Sequence, residues 1–328
     1  MKKWLSTLGL FFLFTILTAC SNDIKEPSNA TTTNKEEDLQ TISIGYQKGN
    51  TLHILKETGI LDEAAKEKGI TIKWELFTHG SMLLEGLYAG AIDFGHAADG
   101  PGIFAQATNK SFYYVGADSP NPEGVGIVVL KKSGITKIEN LKGKKVGVIK
   151  GGNHHYSTVL ALESAGLSAN DVEWVYPKDA AQGRALFETE QIDALASYDP
   201  FFASAEIETD SITLINGEID GYPNRTFYFS TTEFADQHPD SVQFILEKIN
   251  ESDKWANENN EEIIGIMSKA LGINNDVISK QINRRTFGAT EITEDIIIAQ
   301  QKQADKYFEI GLIPIEVDVQ EKVWANKK

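Results

Sequence analysis

The sequence predicts an α/β protein made of two similar lobes, and three observations carry that expectation. From Thr41 onward, short β-rich runs alternate with amphipathic helical segments, the pattern of a mostly parallel sheet flanked by helices. At 328 residues the chain can form two such domains, each with its own core. The order strand, Gly-containing turn, helix, strand, helix, Ile-Asp, strand, Asp-containing turn, helix also occurs twice. Gly80 to Pro101 can be laid against Ala181 to Pro200, with Ile92-Asp93 over Ile192-Asp193. All βαβ units share part of this order. Read as a true repeat, it turns the strand C-terminal edges of two lobes toward each other, with a ligand cleft between them.

Ile42, Ile44 and Tyr46 alternate as a strand, and Asn50 or Thr51 can cap a helix running from Leu52. Strand, polar turn and helix start together aim free backbone N–H groups at an anion. Gln47 and Lys48 lie in that turn. Ile70 to Phe77 is a second strand, and Leu83, Leu84, Leu87 and Tyr88 share one face of a helix that Gly90 ends. Ile92 to Gly95 starts another strand, followed by the turn Ala98-Asp99-Gly100-Pro101 with Pro near a helix start. Phe112–Gly116 and Val125–Leu130 are apolar strands, and the polar run Lys131–Lys145 suits a crossover.

A second α/β pattern follows, with strand Val146–Ile149, turn Lys150–His155, a helix to about Ala165 and a strand from Val172 to Tyr176. A helix from Ala180 to Glu188, the strand at Ile192–Leu195 and the turn Tyr198-Asp199-Pro200-Phe201 complete it. Thr226–Ser230 is a lone β run, taken as the return to the first lobe. The rest is helical, with Val242, Ile245, Leu246 and Ile249 at helical spacing, as are Ile297, Ala304 and Phe308. Arg284-Arg285 interrupts these helices in a basic turn, where helix C-terminal charge and ligand contact are equally good readings for either residue. The expected organisation is 41–131 plus 221–328 as lobe 1 and 132–220 as lobe 2.

The N-terminus is of another kind. Met1-Lys2-Lys3 precedes an apolar run from Trp4 to Thr18 that ends in Leu17-Thr18-Ala19-Cys20. This is a signal peptide over 1–19 with a lipobox, cleaved before Cys20, whose sulfur takes the lipid. Residues 20–40 then form a polar tether too poor in large apolar groups to fold. Cleavage removes two Lys and no acid, taking the formal charge from −16 to −18. That charge argues against nucleic acid as a partner, limits membrane attachment to the Cys20 lipid, and means an anionic ligand is held by local positive potential. A single Cys excludes a disulfide framework.

No nucleotide-binding glycine motif and no nucleophile elbow is present. His79, His96 and His154 could meet in space as a zinc site, but none of the six His forms a His-Glu-x-x-His pair. No cofactor and no metal are expected, and the direction is toward binding rather than catalysis.

Several motifs in one order then identify a resemblance. Ile44-Gly45-Tyr46-Gln47-Lys48-Gly49, Ile92–Gly95, Ile103–Ala107, Tyr113–Gly116, Leu141–Val146, Asp199-Pro200-Phe201, Arg284–Gly288 and Gly311–Pro314 carry it. Over about Ile42 to Trp324 the chain resembles the aliphatic sulfonate-binding lipoproteins of bacterial ABC importers, within a wider group that includes taurine-, nitrate- and thiamine-precursor-binding proteins. The resemblance implies a periplasmic-binding-protein fold of type II. It also implies a monomer that takes a sulfonate in the cleft and hands it to a membrane ABC permease. A thiamine-precursor pyrimidine or a nitrate-like anion is the alternative ligand. By this analogy Gln47 donates to the ligand, His79, Gly80 and Ser81 line the first lobe, and Asp99 and Gly100 lie in its cleft turn. Gly151, Gly152, Asn153 and His154 supply N–H groups and side chains from the second lobe. Tyr198 and Asp199 stand where Trp-Asp is usual, and Arg285 adds positive field.

The chain departs from the family pattern at Phe77–Met82, Ala98–Gly102, Gly152 and Tyr198. All four changes fall on cleft turns, so they bear on the ligand rather than the fold. Tyr in place of Trp alters the wall against an organic tail, and the extra His residues can add donors.

Overall fold

The computed structural model describes residues 41–325. The expected signal peptide, lipidated Cys20 and tether lie outside the described residues. The first lobe opens with β1 (Thr41–Gln47), α1 (Thr51–Thr58), α2 (Ile60–Glu67), β2 (Thr71–Phe77) and α3 (Gly80–Tyr88). It continues through β3 (Phe94–Ala98), α4 (Asp99–Ala107) and β4 (Tyr113–Asp118). Gly59, with φ of 72°, splits the first helical segment into α1 and α2 by ending one and starting the other.

The second lobe contains β5 (Val125–Leu130), β6 (Lys145–Gly147), α5 (Asn153–Ser164) and β7 (Glu173–Val175). It closes with α6 (Ala180–Glu188), β8 (Ala194–Tyr198), α7 (Phe201–Glu208) and β9 (Ser211–Asn216). The chain then returns through β10 (Thr226–Ser230), α8 (Thr232–Gln237), α9 (Pro239–Glu258), α10 (Asn260–Leu271) and α11 (Asn275–Asn283). Last come β11 (Ala289–Thr290) and α12 (Glu294–Glu309).

The two sheets have one plan. The first runs β11-β4-β10-β3-β1-β2 and the second β7-β6-β8-β5-β9. β1 to β4 share one direction, and only β10 and β11 oppose them. β6 to β9 likewise share a direction, with β5 opposed. In each sheet the opposed strand between the third and fourth parallel strands is the segment that crosses between lobes.

The crossover therefore differs from expectation. β5 pairs with β8 and β9 in the second sheet, so the chain changes lobes between Asp118 and Val125, and residues 125–131 belong to lobe 2. The polar run 131–145 is a surface connection within that lobe, containing two 3₁₀ turns. Its polarity suits a loop as well as a crossover, which is why composition misplaced the boundary. β9 is a further strand beyond those expected, with Ile212 and Leu214 alternating within it.

The internal repeat holds at the level of hydrogen bonds. Asp93 Oδ2 accepts from Ser43 N at 2.8 Å, and Asp193 Oδ2 accepts from Lys145 N at 2.8 Å. Each Asp thus ties the start of its lobe's third parallel strand to that lobe's first. His79 and Asp179 occupy matching helix N-caps, accepting from Met82 N and Gln182 N.

Phe112, Tyr114, Phe227 and Phe229 form the aromatic heart of the first lobe, with Tyr114 and Phe229 centroids 4.9 Å apart. Such pairs add about 1 kcal/mol each beyond their area. The buried stripe of α12 is Ile296, Gln300, Gln303, Ala304 and Tyr307, one register away from the expected Ile297 and Phe308. Hydrogen bonding at the joint between lobes sets that register, as Gln300 Nε2 donates to Asp99 O at 2.7 Å and Gln303 Nε2 to Asp99 Oδ1 at 3.0 Å.

Candidate ligand cleft

The C-terminal ends of β1, β3, β4 and β8 and the turns after β2 and β6 open on one cavity of about 80 Å³. By volume it holds several water molecules. Helix starts surround it: Asn50 before α1, Gly80 and Ser81 of α3, Ala98 and Pro101 of α4, Gly152 and Asn153 of α5, and Asp199 before α7. First-turn N–H groups have no intrahelical acceptor and carry the positive end of the helix dipole. Their convergence makes local positive potential inside an acidic protein.

The two turns that begin this arrangement are built alike. Gly49 and Gly151 take φ of 80° and 74°, a left-handed geometry that glycine adopts without steric cost. Gly49 N donates to His53 Nδ1 at 3.2 Å, and Gly151 N donates to His155 Nδ1 at 3.1 Å. A His one helical turn on thus closes each loop. Burial lowers the pKa of both rings to about 4, which keeps them neutral and able to accept.

Of the residues expected at the site, Gln47, His79, Gly80, Ser81, Gly152, Asn153, His154, Tyr198, Asp199 and Arg285 line the cavity. Asp99, Gly100 and Gly151 do not, for they form the joint beside it. Asp99 is buried and accepts from Tyr222 Oη at 2.5 Å, Gln303 Nε2 at 3.0 Å and Gly100 N at 2.7 Å. Burial raises its pKa to about 6. Gly100 sits where any Cβ would fall 2.0 Å from Gly151 O, so the lobes meet backbone to backbone at that point.

Two expected roles are narrowed. Gln47 Nε2 donates to His96 O at 2.9 Å, which commits one of its two amide N–H groups to the protein. His154 Nε2 accepts from Ile149 N at 3.1 Å, and its Nδ1 lies 3.1 Å from Asn153 Oδ1. Both nitrogens are occupied, and the ring offers a face, tilted 34° against Tyr198 at 4.9 Å between centroids. His96 Nε2 similarly accepts from Gln47 N at 3.2 Å. Burial takes His96 and His154 down to about 3. With those lone pairs used, His79, His96 and His154 are not a zinc site; among the described residues no group of three or more metal-ligating side chains is placed to hold an ion.

The two arginines part company. Arg285 lines the cavity and pairs with Asp118, Nη2 to Oδ2 at 3.2 Å. Asp118 also accepts from Thr51 Oγ1 at 2.7 Å and from Tyr228 Oη. Arg284, from the first lobe, crosses to the second, binding Asp199 through Nε at 2.7 Å and Nη2 at 2.5 Å and Glu206 through Nη1 at 3.0 Å. Lys48 is exposed, and Lys150 Nζ stands 5.8 Å over the Tyr176 ring. Tyr198, expected against an organic tail, lines the cavity, while Tyr46 packs edge-on to Trp74.

Sequence reasoning missed Asn50, Asp118, Asn121, Asn224 and Gln281, which also line the cavity. Asp118 ends a strand at the predicted sheet edge and was findable by position. Gln281 lies in a helix far along the chain and carries no local signal.

Comparison with known proteins agrees with this architecture. Residues 41–271 match the model of the NMT1-like family. A protein of Escherichia coli (strain K12) named as an aliphatic sulfonates-binding protein is 31% identical over 293 residues, 88% of this chain and 90% of that protein. One of the same name from Bacillus subtilis (strain 168) is 31% identical over 87% of this chain and 86% of its own. Among solved structures, the alkanesulfonate-binding protein SsuA from Xanthomonas axonopodis pv. citri bound to MOPS superposes with a TM-score of 0.83 at 30% identity, covering 87% of this chain and 98% of that one. The fold is that of periplasmic binding proteins, and the chain belongs to the NMT1-like family.

Proposed function

We propose that this protein is the extracytoplasmic solute-binding component of an ABC importer, capturing a small sulfonate and delivering it unchanged to a membrane permease. The observation that carries this reading is the convergence of helix N-termini from both lobes, with Arg285, on one small cavity. Such a site suits a compact anion with several oxygens, since each oxygen can meet a separate N–H donor. The relatives named for sulfonate binding support the same ligand class. In this reading the protein acts as a monomer, residues 1–19 are a cleaved signal peptide, Cys20 carries the lipid anchor, and residues 20–40 tether the folded body to the membrane.

Isothermal titration calorimetry on purified protein tests the ligand class. A 1:1 heat with short-chain sulfonates, and none with nitrate or a thiamine-precursor pyrimidine, is the expected result. Heat only with the pyrimidine or nitrate would transfer the protein to that branch of its wider group. Mass spectrometry of protein extracted from bacterial membranes tests the anchor: the expected mature N-terminus is a diacylglyceryl-modified Cys20, and an intact Met1 contradicts it.

A further inference from the structure

Two glutamines on the cleft wall have their amide orientation fixed by the backbone. Gln47 Nε2 donates to His96 O at 2.9 Å, and Gln281 Nε2 donates to Gly49 O at 2.6 Å. Flipping either amide would set oxygen against oxygen, so in both residues the orientation is set, with one N–H committed to the backbone and the carbonyl oxygen unbonded. Both residues line the cavity, and no described residue donates to either Oε1. Neither oxygen is among the polar atoms sealed off from solvent without a partner.

The two residues sit on either side of one turn, because Gln281 is bonded to Gly49, two residues beyond Gln47. Asp118 and Asp199 line the same cavity, their carboxylates already paired with Arg285 and Arg284. Against these acceptors, the apolar wall consists of Ala98, Pro101, Ile149 and the Tyr198 ring.

We infer that the ligand is a short sulfonate whose far end donates hydrogen bonds, as a hydroxyl or an ammonium, to Gln47 Oε1 and Gln281 Oε1. The inference rests on the sulfonate reading and narrows it to hydroxy- or aminoalkanesulfonates. An alkyl end would strip water from both amide oxygens and return nothing, and a site built to hydrogen-bond its ligand discriminates strongly against an analogue lacking the bond.

Titration calorimetry on the full chain with 2-hydroxyethanesulfonate, 2-aminoethanesulfonate and propanesulfonate tests it, since propanesulfonate replaces the hydroxyl by a methyl of similar size. At least one donor-bearing ligand is expected to bind about tenfold or more tightly than propanesulfonate, and the order of the two identifies the donor. In Gln281→Met the ratio is expected to shrink to within about threefold; should that variant not fold, the wild-type series decides alone. Propanesulfonate binding as tightly as both polar ligands overturns the inference and leaves the sulfonate reading standing. Absence of binding by all three overturns both.

Discussion

Asp99 is the residue whose surroundings depart furthest from its expected role. Its carboxyl, buried at the joint, is raised from 3.8 to about 6, so between about pH 4 and pH 6 the folded chain holds a proton that the unfolded chain has released. This group therefore lowers stability as pH rises through that window, by at most about 3 kcal/mol. In Asp99→Asn, Oδ1 can still accept from Gly100 N and Gln303 Nε2, while the Tyr222 hydroxyl turns to accept from the new amide. Urea melts at pH 4 and pH 7 should show Asp99→Asn gaining on wild type by about 2 kcal/mol between the two; parallel curves contradict the assignment. The buried His53, His96, His154 and His155 work in the opposite sense. Their lowered pKa values remove stability as pH falls below about 6.5, so the Asp99 effect is read as a difference between proteins. Arg285→Ala leaves Asp118 charged and buried without its partner and should cost about 3 kcal/mol in the same melts. Adding Asp118→Asn should restore part of that loss. Gln47 was legible from the sequence as a cleft residue, but the role of its amide was not, because the direction of a side-chain amide depends on His96, 49 residues away.

Among the elements, the turns and the helix starts were readable and the joint was not. Asn50, Gly80 and Gly152 mark helix starts legible from strand endings and glycine, although the Asn50 side chain makes no capping bond. The Ile-Asp pairs also proved informative, since each Asp makes the same two bonds to its first strand. β5 was misassigned because an apolar strand of six residues fits either sheet, and only its partners β8 and β9 decide. At the joint, α4 and the β6–α5 turn meet through Gly100 and Gly151 O. Gly100→Ala should hold the lobes apart there, lowering ligand affinity by about a hundredfold while leaving each lobe folded; unchanged affinity in calorimetry would show that this approach is not needed for binding. Arg284 supplies a second bridge, reaching from the end of α11 to Asp199 and Glu206. Arg284→Ala should raise the ligand dissociation rate about tenfold with little change in association, measured by stopped-flow tryptophan fluorescence. This follows because the bridge stabilises the closed arrangement rather than the encounter.

For the whole molecule, the controlling fact is a formal charge of −16 around a cleft built for an anion. Attraction comes from helix ends, Arg285 and Lys150 at short range, while the acidic surface repels an approaching anion over a Debye length. Association should therefore quicken, by about two- to threefold, as ionic strength rises from about 10 to 150 mM. A protein steering its ligand with a basic surface would slow. The two-lobed plan was legible in the sequence because strand alternation and the repeat are periodic signals. The sheet boundary and the α12 register depend on partners distant in sequence, β8 and β9 for the one and Asp99 for the other, which leaves no periodic trace.

The most direct test of the whole account is a crystal structure of the protein with 2-hydroxyethanesulfonate. The predicted result places the sulfonate oxygens at the N-termini of α3 and α5 beside Arg285, with the hydroxyl on Gln47 Oε1 and Gln281 Oε1. Density for the ligand anywhere outside the interlobe cavity, or a water-filled cavity at saturating ligand, would contradict it.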